Sequence, residues 1–259
     1  MLIIRRDQRR QELSAGQRPR GDLIEAEPLL DLRMCGIDHE TVRRLLGLLC
    51  AVACAACVTL AAAPKGGAVG APWFARSVGN AAQVISVVGN GGSTAKMDVY
   101  QLSAAGWQPV AADIPTHVGS AGLAAEAKSG YPATPMGVFA LPFAFGTAPN
   151  PGGGLKYVQV GSNHWWNGDD NSPTFNTMQV CKQSQCPFDT AASENLEIPQ
   201  YKHAVVMGVN PNHVPGKGAA FFFHTTDGGP TAGCVAIDDA TLVQIIQWLR
   251  PGAVMAITQ

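Results

Sequence analysis

From about residue 80 to the C terminus, apolar positions fall in short runs closed by Gly, Pro or Asn. The runs are Ala82–Gly89, Lys96–Ser103, Gly106–Ala112, Gly137–Phe145, Lys156–Gly161, His203–Asn210, Ala219–His224, Gly233–Ile237 and Ala253–Thr258. Several are rich in Val, Ile, Phe and Tyr, which suit a pleated, half-buried surface, so the pattern predicts strands joined by turns. One segment has a different period. Leu242, Ile245, Ile246 and Leu249 make a single apolar stripe at helical spacing. Asp238 and Asp239 stand where an N-cap and a favourable dipole charge belong, and Pro251 closes the segment. The pattern predicts a mainly β fold with one helix packed on a sheet. The stretch 72–115 is too short for a large core of its own and is assigned to the same domain.

The N-terminal part follows another pattern. Residues 1–42 include an Arg-rich stretch without apolar periodicity, read as disordered or as an artefact of an early start codon, with Met34 as an alternative start. Residues 43–71 begin with Arg43 and Arg44 and continue as the uncharged stretch Leu45–Ala63. Ala61-Ala62-Ala63 and Val69-Gly70-Ala71 then offer cleavage signals. This is the layout of a secretory signal, and the stretch is also long enough for an uncleaved anchor. Cys54 and Cys57 raise lipidation, but the residues before them lack the usual leucine. Each option places residues 72–259 outside the cytoplasm, in a cell wall or periplasm-like space, as a secreted or anchored protein. A formal charge of −1 argues against nucleic acid or an anionic membrane surface as the main partner.

Export makes the cysteines informative. Four of the seven lie in or before the signal segment. Cys181 and Cys186 are near neighbours among polar residues, and outside the cell such a pair is most simply a disulfide. No further soft ligands stand near them for a metal. Cys234 is left over, as a buried small hydrophobe, a free reactive thiol or an intermolecular disulfide partner. His224 ends one predicted strand and Cys234 opens the next, with turn formers between them. If the strands are neighbours, imidazole and thiol meet, and the imidazole draws the thiol below its free pKa of about 8.5 as an ion pair. Backbone N–H groups near Gly233 are then candidates for an oxyanion hole.

The run from "FFFHTT" to "PTAGCVAI" resembles the signature of the YkuD-type L,D-transpeptidases of peptidoglycan, a His followed by a small residue and then Ser/Thr-x-Gly-Cys-hydrophobic. "SGYPATPMGVFAL" resembles the family's Thr-Pro-x-Gly-x-Phe strand at Thr134, Pro135, Gly137 and Phe139, and "YKHAVVMGVN" its substrate-face strand. The likeness spans roughly residues 80–259. It implies an L,D-transpeptidase-like β-sandwich with one or two short helices. It also implies a Cys234 nucleophile, a His224 base, and Thr225, Thr231 and Gly233 in support. The implied reaction is acyl transfer on peptidoglycan stem peptides through a Cys234 thioester, giving 3→3 cross-links, without metal or organic cofactor. The same likeness implies covalent inhibition by carbapenem-type β-lactams. Trp166, Tyr201, His203 and Asn210 are the candidate substrate contacts, with packing roles as the alternative for Trp166 and His203.

The chain departs from that family in two ways. Ala236 stands where most members carry Arg, and the loop between His and Cys is shorter. Lys202 and Lys217 are the first candidates for a replacement cation. Hydrolysis of the thioester, an L,D-carboxypeptidase activity, is the nearest alternative. A sortase-like transpeptidase needs an Arg soon after the Cys, and the nearest is Arg250, in the helix pattern. A papain-type order needs a His after the Cys, and none follows Cys234. A non-catalytic exported wall-binding module is the alternative of another class. Asp169 and Asp170 lack the spaced oxygen ligands of a calcium loop, and the glycine runs lack phosphate-loop spacing.

Overall fold

The computed structural model describes residues 71–259; the expectations for residues 1–42, and all but the last residue of 43–71, lie outside them. The chain forms β1 (Gln83–Gly91), β2 (Thr94–Ser103), β3 (Gly106–His117), β4 (Leu123–Ala124), β5 (Thr134–Pro135), β6 (Gly137–Ala140), β7 (Ala144–Gly146) and β8 (Tyr157–Gln159). It continues through β9 (His164–Trp166), β10 (Met178–Val180), β11 (Glu194–Asn195), β12 (Ala204–Val206), β13 (Phe222–Thr225), β14 (Val235–Ile237), α1 (Asp239–Trp248) and β15 (Val254–Thr258). The fold is mainly β, as the pattern predicted. A ten-stranded sheet runs β6-β15-β1-β2-β3-β14-β13-β12-β7-β8, and β10-β9-β11 form a small second sheet. β1–β3 therefore join the same sheet as the strands that follow them.

The helix is built as its sequence predicts. Asp238 caps it by accepting from Thr241 N at 2.9 Å, and Leu242, Ile245, Ile246 and Leu249 are buried. They pack with Ile85, Met97, Phe223, Val235, Ile237 and Met255 in the main core. A second cluster holds Phe145, Trp166, Leu196, Tyr201, Ala204, Val206, Phe222 and Cys234. Strand alternation sorts residues between the two. Along β13 and β14, Phe223, Val235 and Ile237 go to the main core, while Phe222 and Cys234 go to the second cluster. β9–β11 were not among the predicted strands. They lie in a Trp- and Asn-containing loop region whose order comes from buried polar side chains. Asn167 Nδ2 donates to Ser172 and Thr174, and Asn176 donates to the carbonyls of Val209 and Asn210.

Candidate active site

β13 and β14 are parallel neighbours, with His224 opposite Ala236 and Thr225 opposite Ile237. Cys234 immediately precedes β14 and shares a face with Ala236, so thiol and imidazole look into the same region from adjacent strands. Both line a cleft of about 400 Å³ together with Glu194, Tyr201, Asp227, Thr231 and Ala236. A smaller cleft of about 250 Å³ meets Cys234 from the other side and is lined by Lys128, Tyr131, Ala220 and Gly233, with Glu194 and Ala232 shared between the two.

The turn before Cys234 is braced from several directions. Gly233 has φ +140°, and a Cβ there would come within 3.0 Å of the Phe221 ring and 3.2 Å of Ala133 O, so only glycine fits. Thr231 Oγ1 donates to Cys234 O at 2.7 Å and accepts from Gly233 N at 3.1 Å. Thr134, from the Thr-Pro element, is fully buried. Its hydroxyl accepts from Gly119 N at 2.9 Å and donates to Gly233 O at 2.8 Å. The physical task of that distant motif is thus to hold the backbone of the cysteine turn.

His224 Nδ1 lies 2.8 Å from Thr225 O. A carbonyl only accepts, so Nδ1 carries the proton and Nε2 is left as the basic nitrogen. Burial lowers the His224 pKa, only partly opposed by the Thr225 hydrogen bond and the Asp227 charge, so the ring is a neutral base near pH 7. Tyr201 packs edge-on against it with centroids 5.4 Å apart.

The thiol departs from expectation. Sγ accepts from Phe222 N at 3.4 Å and lies 3.5 Å from Ala220 O, an acceptor for its proton. Burial pushes the Cys234 pKa up, the Glu194 carboxylate pushes it further, and only the Phe222 N–H opposes them. The expected thiolate–imidazolium pair is absent at rest: the thiol is neutral, bonds only to the backbone of Phe222 and Ala220, and makes no hydrogen bond to the neutral His224 ring. The physical reason is the aromatic cluster behind the sulfur, which withholds solvation from a thiolate.

The other candidates divide. Tyr201 lines the larger cleft, and its hydroxyl donates to Glu194 Oε2. Trp166 is buried, donates Nε1 to Asn176 Oδ1 at 2.8 Å and packs on Phe222, so it belongs to the wall behind the cleft. His203 is buried, and its Nδ1 lies 2.7 Å from Asp239 Oδ1 at the start of α1. Asn210, at φ +51°, closes its own loop through bonds to Val214 and Gly218. None of these three lines either cleft at Cys234, and each has a structural partner. Thr225 donates to Asp239 Oδ1 at 2.8 Å, which fixes the strand carrying His224 rather than reaching the thiol. Of the backbone N–H groups near Gly233, that of Gly233 itself donates to Thr231 Oγ1.

Neither lysine singled out earlier lines a cleft beside Cys234. Lys202 pairs with Asp239 at 2.6 Å and Lys217 with Glu126 at 3.2 Å. Among the described residues, Lys128 is the lysine or arginine that lines a cleft reaching Cys234. Lys128, in a loop, and Glu194, in the two-residue strand β11, have no spacing that would have marked them. Cys181 and Cys186 form a disulfide, Cα atoms 5.3 Å apart, and Cys234 is free. Among the described residues, no group of three or more His, Cys, Asp or Glu side chains is placed to hold a metal ion.

Comparison with protein-family models, with curated proteins and with solved structures finds no match.

Proposed function

We propose that the protein is an exported cysteine acyltransferase acting on peptidoglycan stem peptides, an L,D-transpeptidase. The observation that carries this reading is the placement of a free thiol and a neutral imidazole, with Nε2 unprotonated, in one cleft on adjacent parallel strands. On substrate binding the Sγ proton passes to His224 Nε2, and sulfur attacks the carbonyl of the third-position diamino acid. The C–N bond then breaks, His224 returns the proton to the departing D-alanine amine, and a Cys234 thioester remains. The N–H of Cys234, at the thiol itself, takes the oxyanion role in place of Gly233.

Two clefts meeting at one sulfur suit a reaction with two peptide partners. The donor stem lies along the His224 side and the leaving residue on the Lys128 side. An incoming amine must approach the carbonyl where the first amine left. The acceptor's diamino acid carries amine and carboxylate on one carbon, as D-alanine does, so Lys128 serves the carboxylate of both.

Incubation with a disaccharide tetrapeptide, followed by mass analysis, tests the reading. Loss of one D-alanine with formation of a dimer is the expected result. Trimmed monomer alone would make the protein an L,D-carboxypeptidase, and unchanged substrate would favour a wall-binding module.

A further inference from the structure

Glu194 is the one carboxylate that lines both clefts at Cys234. Its Oε2 accepts from the Tyr201 hydroxyl, while Oε1 has no hydrogen-bond partner among the described residues. It is held in place by β11, whose residues Glu194 and Asn195 pair with Trp166 and Trp165 of β9. A carboxylate in this position opposes the chemistry of a lone cysteine, because negative charge beside sulfur disfavours the thiolate. A partly buried carboxylate with one free oxygen also bears a desolvation penalty that a single phenol does not offset. Both features make sense if a cation arrives with the substrate.

We propose that Glu194 is the recognition and proton-accepting group for the primary ammonium of the acceptor stem peptide. The proposal rests on the acyltransferase reading above. The ammonium enters from the Lys128 side and meets the free Oε1, with Tyr201 holding the other oxygen. Glu194 takes one proton, and the nitrogen lone pair attacks the thioester carbonyl. As the amide forms, the second proton passes to His224 Nε2 and the C–S bond breaks, leaving the electron pair on sulfur. His224 reprotonates sulfur, and Glu194 releases its proton to solvent. Burial raises the pKa of Glu194, which suits a group that must accept a proton and then release it. Water, being neutral, gains nothing from this charge, so Glu194 biases the thioester towards amines and away from hydrolysis.

The test uses the full protein with the tetrapeptide donor and a free D-amino acid as the amine probe, for wild type, Glu194→Gln and Glu194→Asp. The ratio of amine transfer to hydrolysis is read from product masses, and Cys234 alkylation by iodoacetamide is followed in parallel. Glu194→Gln is expected to lower the ratio about tenfold or more, the equivalent of about 1.4 kcal/mol. It should also quicken alkylation several-fold, because the opposing charge is gone. Glu194→Asp should restore part of the ratio. A variant with the wild-type ratio would overturn the assignment while leaving the acyltransferase intact. Slower alkylation in Glu194→Gln would also count against it, since that is the sign of a damaged wall. A wild-type protein that never acylates would instead remove the function proposal, and this one with it.

Discussion

The two faces of β12–β14 carry similar residue types in different states. On the helix side, Asp239 is bound by Lys202 at 2.6 Å, His203 at 2.7 Å and Thr225 at 2.8 Å. Burial alone would raise its pKa, but these three hydrogen bonds prevail and hold it at about 2. On the cleft side, Glu194 has one donor, His224 keeps an unprotonated Nε2, and Cys234 has only long contacts to backbone atoms. A carboxylate and an imidazole thus stand on each face, but only the cleft face leaves hydrogen-bonding capacity unused beside a nucleophile. Satisfied polar groups fix an architecture, whereas unsatisfied ones beside a cavity await a ligand.

That contrast breaks most sharply at the thiol. Cys234→Ala should abolish acyl-enzyme formation, and His224→Ala should slow it by about 10³-fold, the scale of a lost general base. The double variant should be no worse than Cys234→Ala, since the pair acts as a unit, and single-turnover mass kinetics read all three. In wild type the acylation rate should rise as His224 loses its proton. Its lowered pKa places that rise below the ordinary 6.5.

The helix face should answer in stability rather than chemistry. Asp239→Asn removes the charge to which Lys202, His203 and Thr225 are tied and should destabilise the fold by about 1–3 kcal/mol. Thermal melts give the value, and the alkylation rate of Cys234 well below the melt should stay close to wild type. Linkage gives the same face a pH signature. The carboxylate's contribution is full above its unfolded pKa and is lost as pH falls towards about 2. A large change in thiol reactivity with no change in melting would reverse the two roles.

The sequence carried the strand and helix periods well, because alternation and the Leu242–Leu249 stripe record which face each element buries. It put His224 at the end of one strand and Cys234 at the opening of the next, but the pairing of those strands comes from the fold. β9–β11 were illegible because buried amide networks at Asn167 and Asn176, rather than apolar periodicity, order that region. His203 could be placed on a strand but not on a face. Its partner Asp239 read only as a helix-start charge, and the cluster exists because β12, β13 and α1 meet in space. Glu194 and Lys128 were silent for a related reason: a lone charge has no period, and its meaning lies in the cavity it borders.

The smallest expected effect concerns Lys128, which is exposed and so worth little in isolation. Lys128→Ala should raise the KM for a tetrapeptide with a free terminal carboxylate up to about fivefold, the scale of an exposed ion pair. The KM for the corresponding terminal amide should barely move. Equal effects on both substrates would place the carboxylate elsewhere and leave Ala236 without a replacement.

The central claim is that Cys234, neutral and buried at rest, is nonetheless a nucleophile activated by His224. Intact-mass analysis after exposure to a carbapenem-type β-lactam, followed by peptide mapping, examines it most directly. The account predicts a single covalent adduct on the peptide containing Cys234, formed by wild type and lost in Cys234→Ala. A folded protein that stays unmodified, while its Cys234 thiol titrates fully after denaturation, would contradict it.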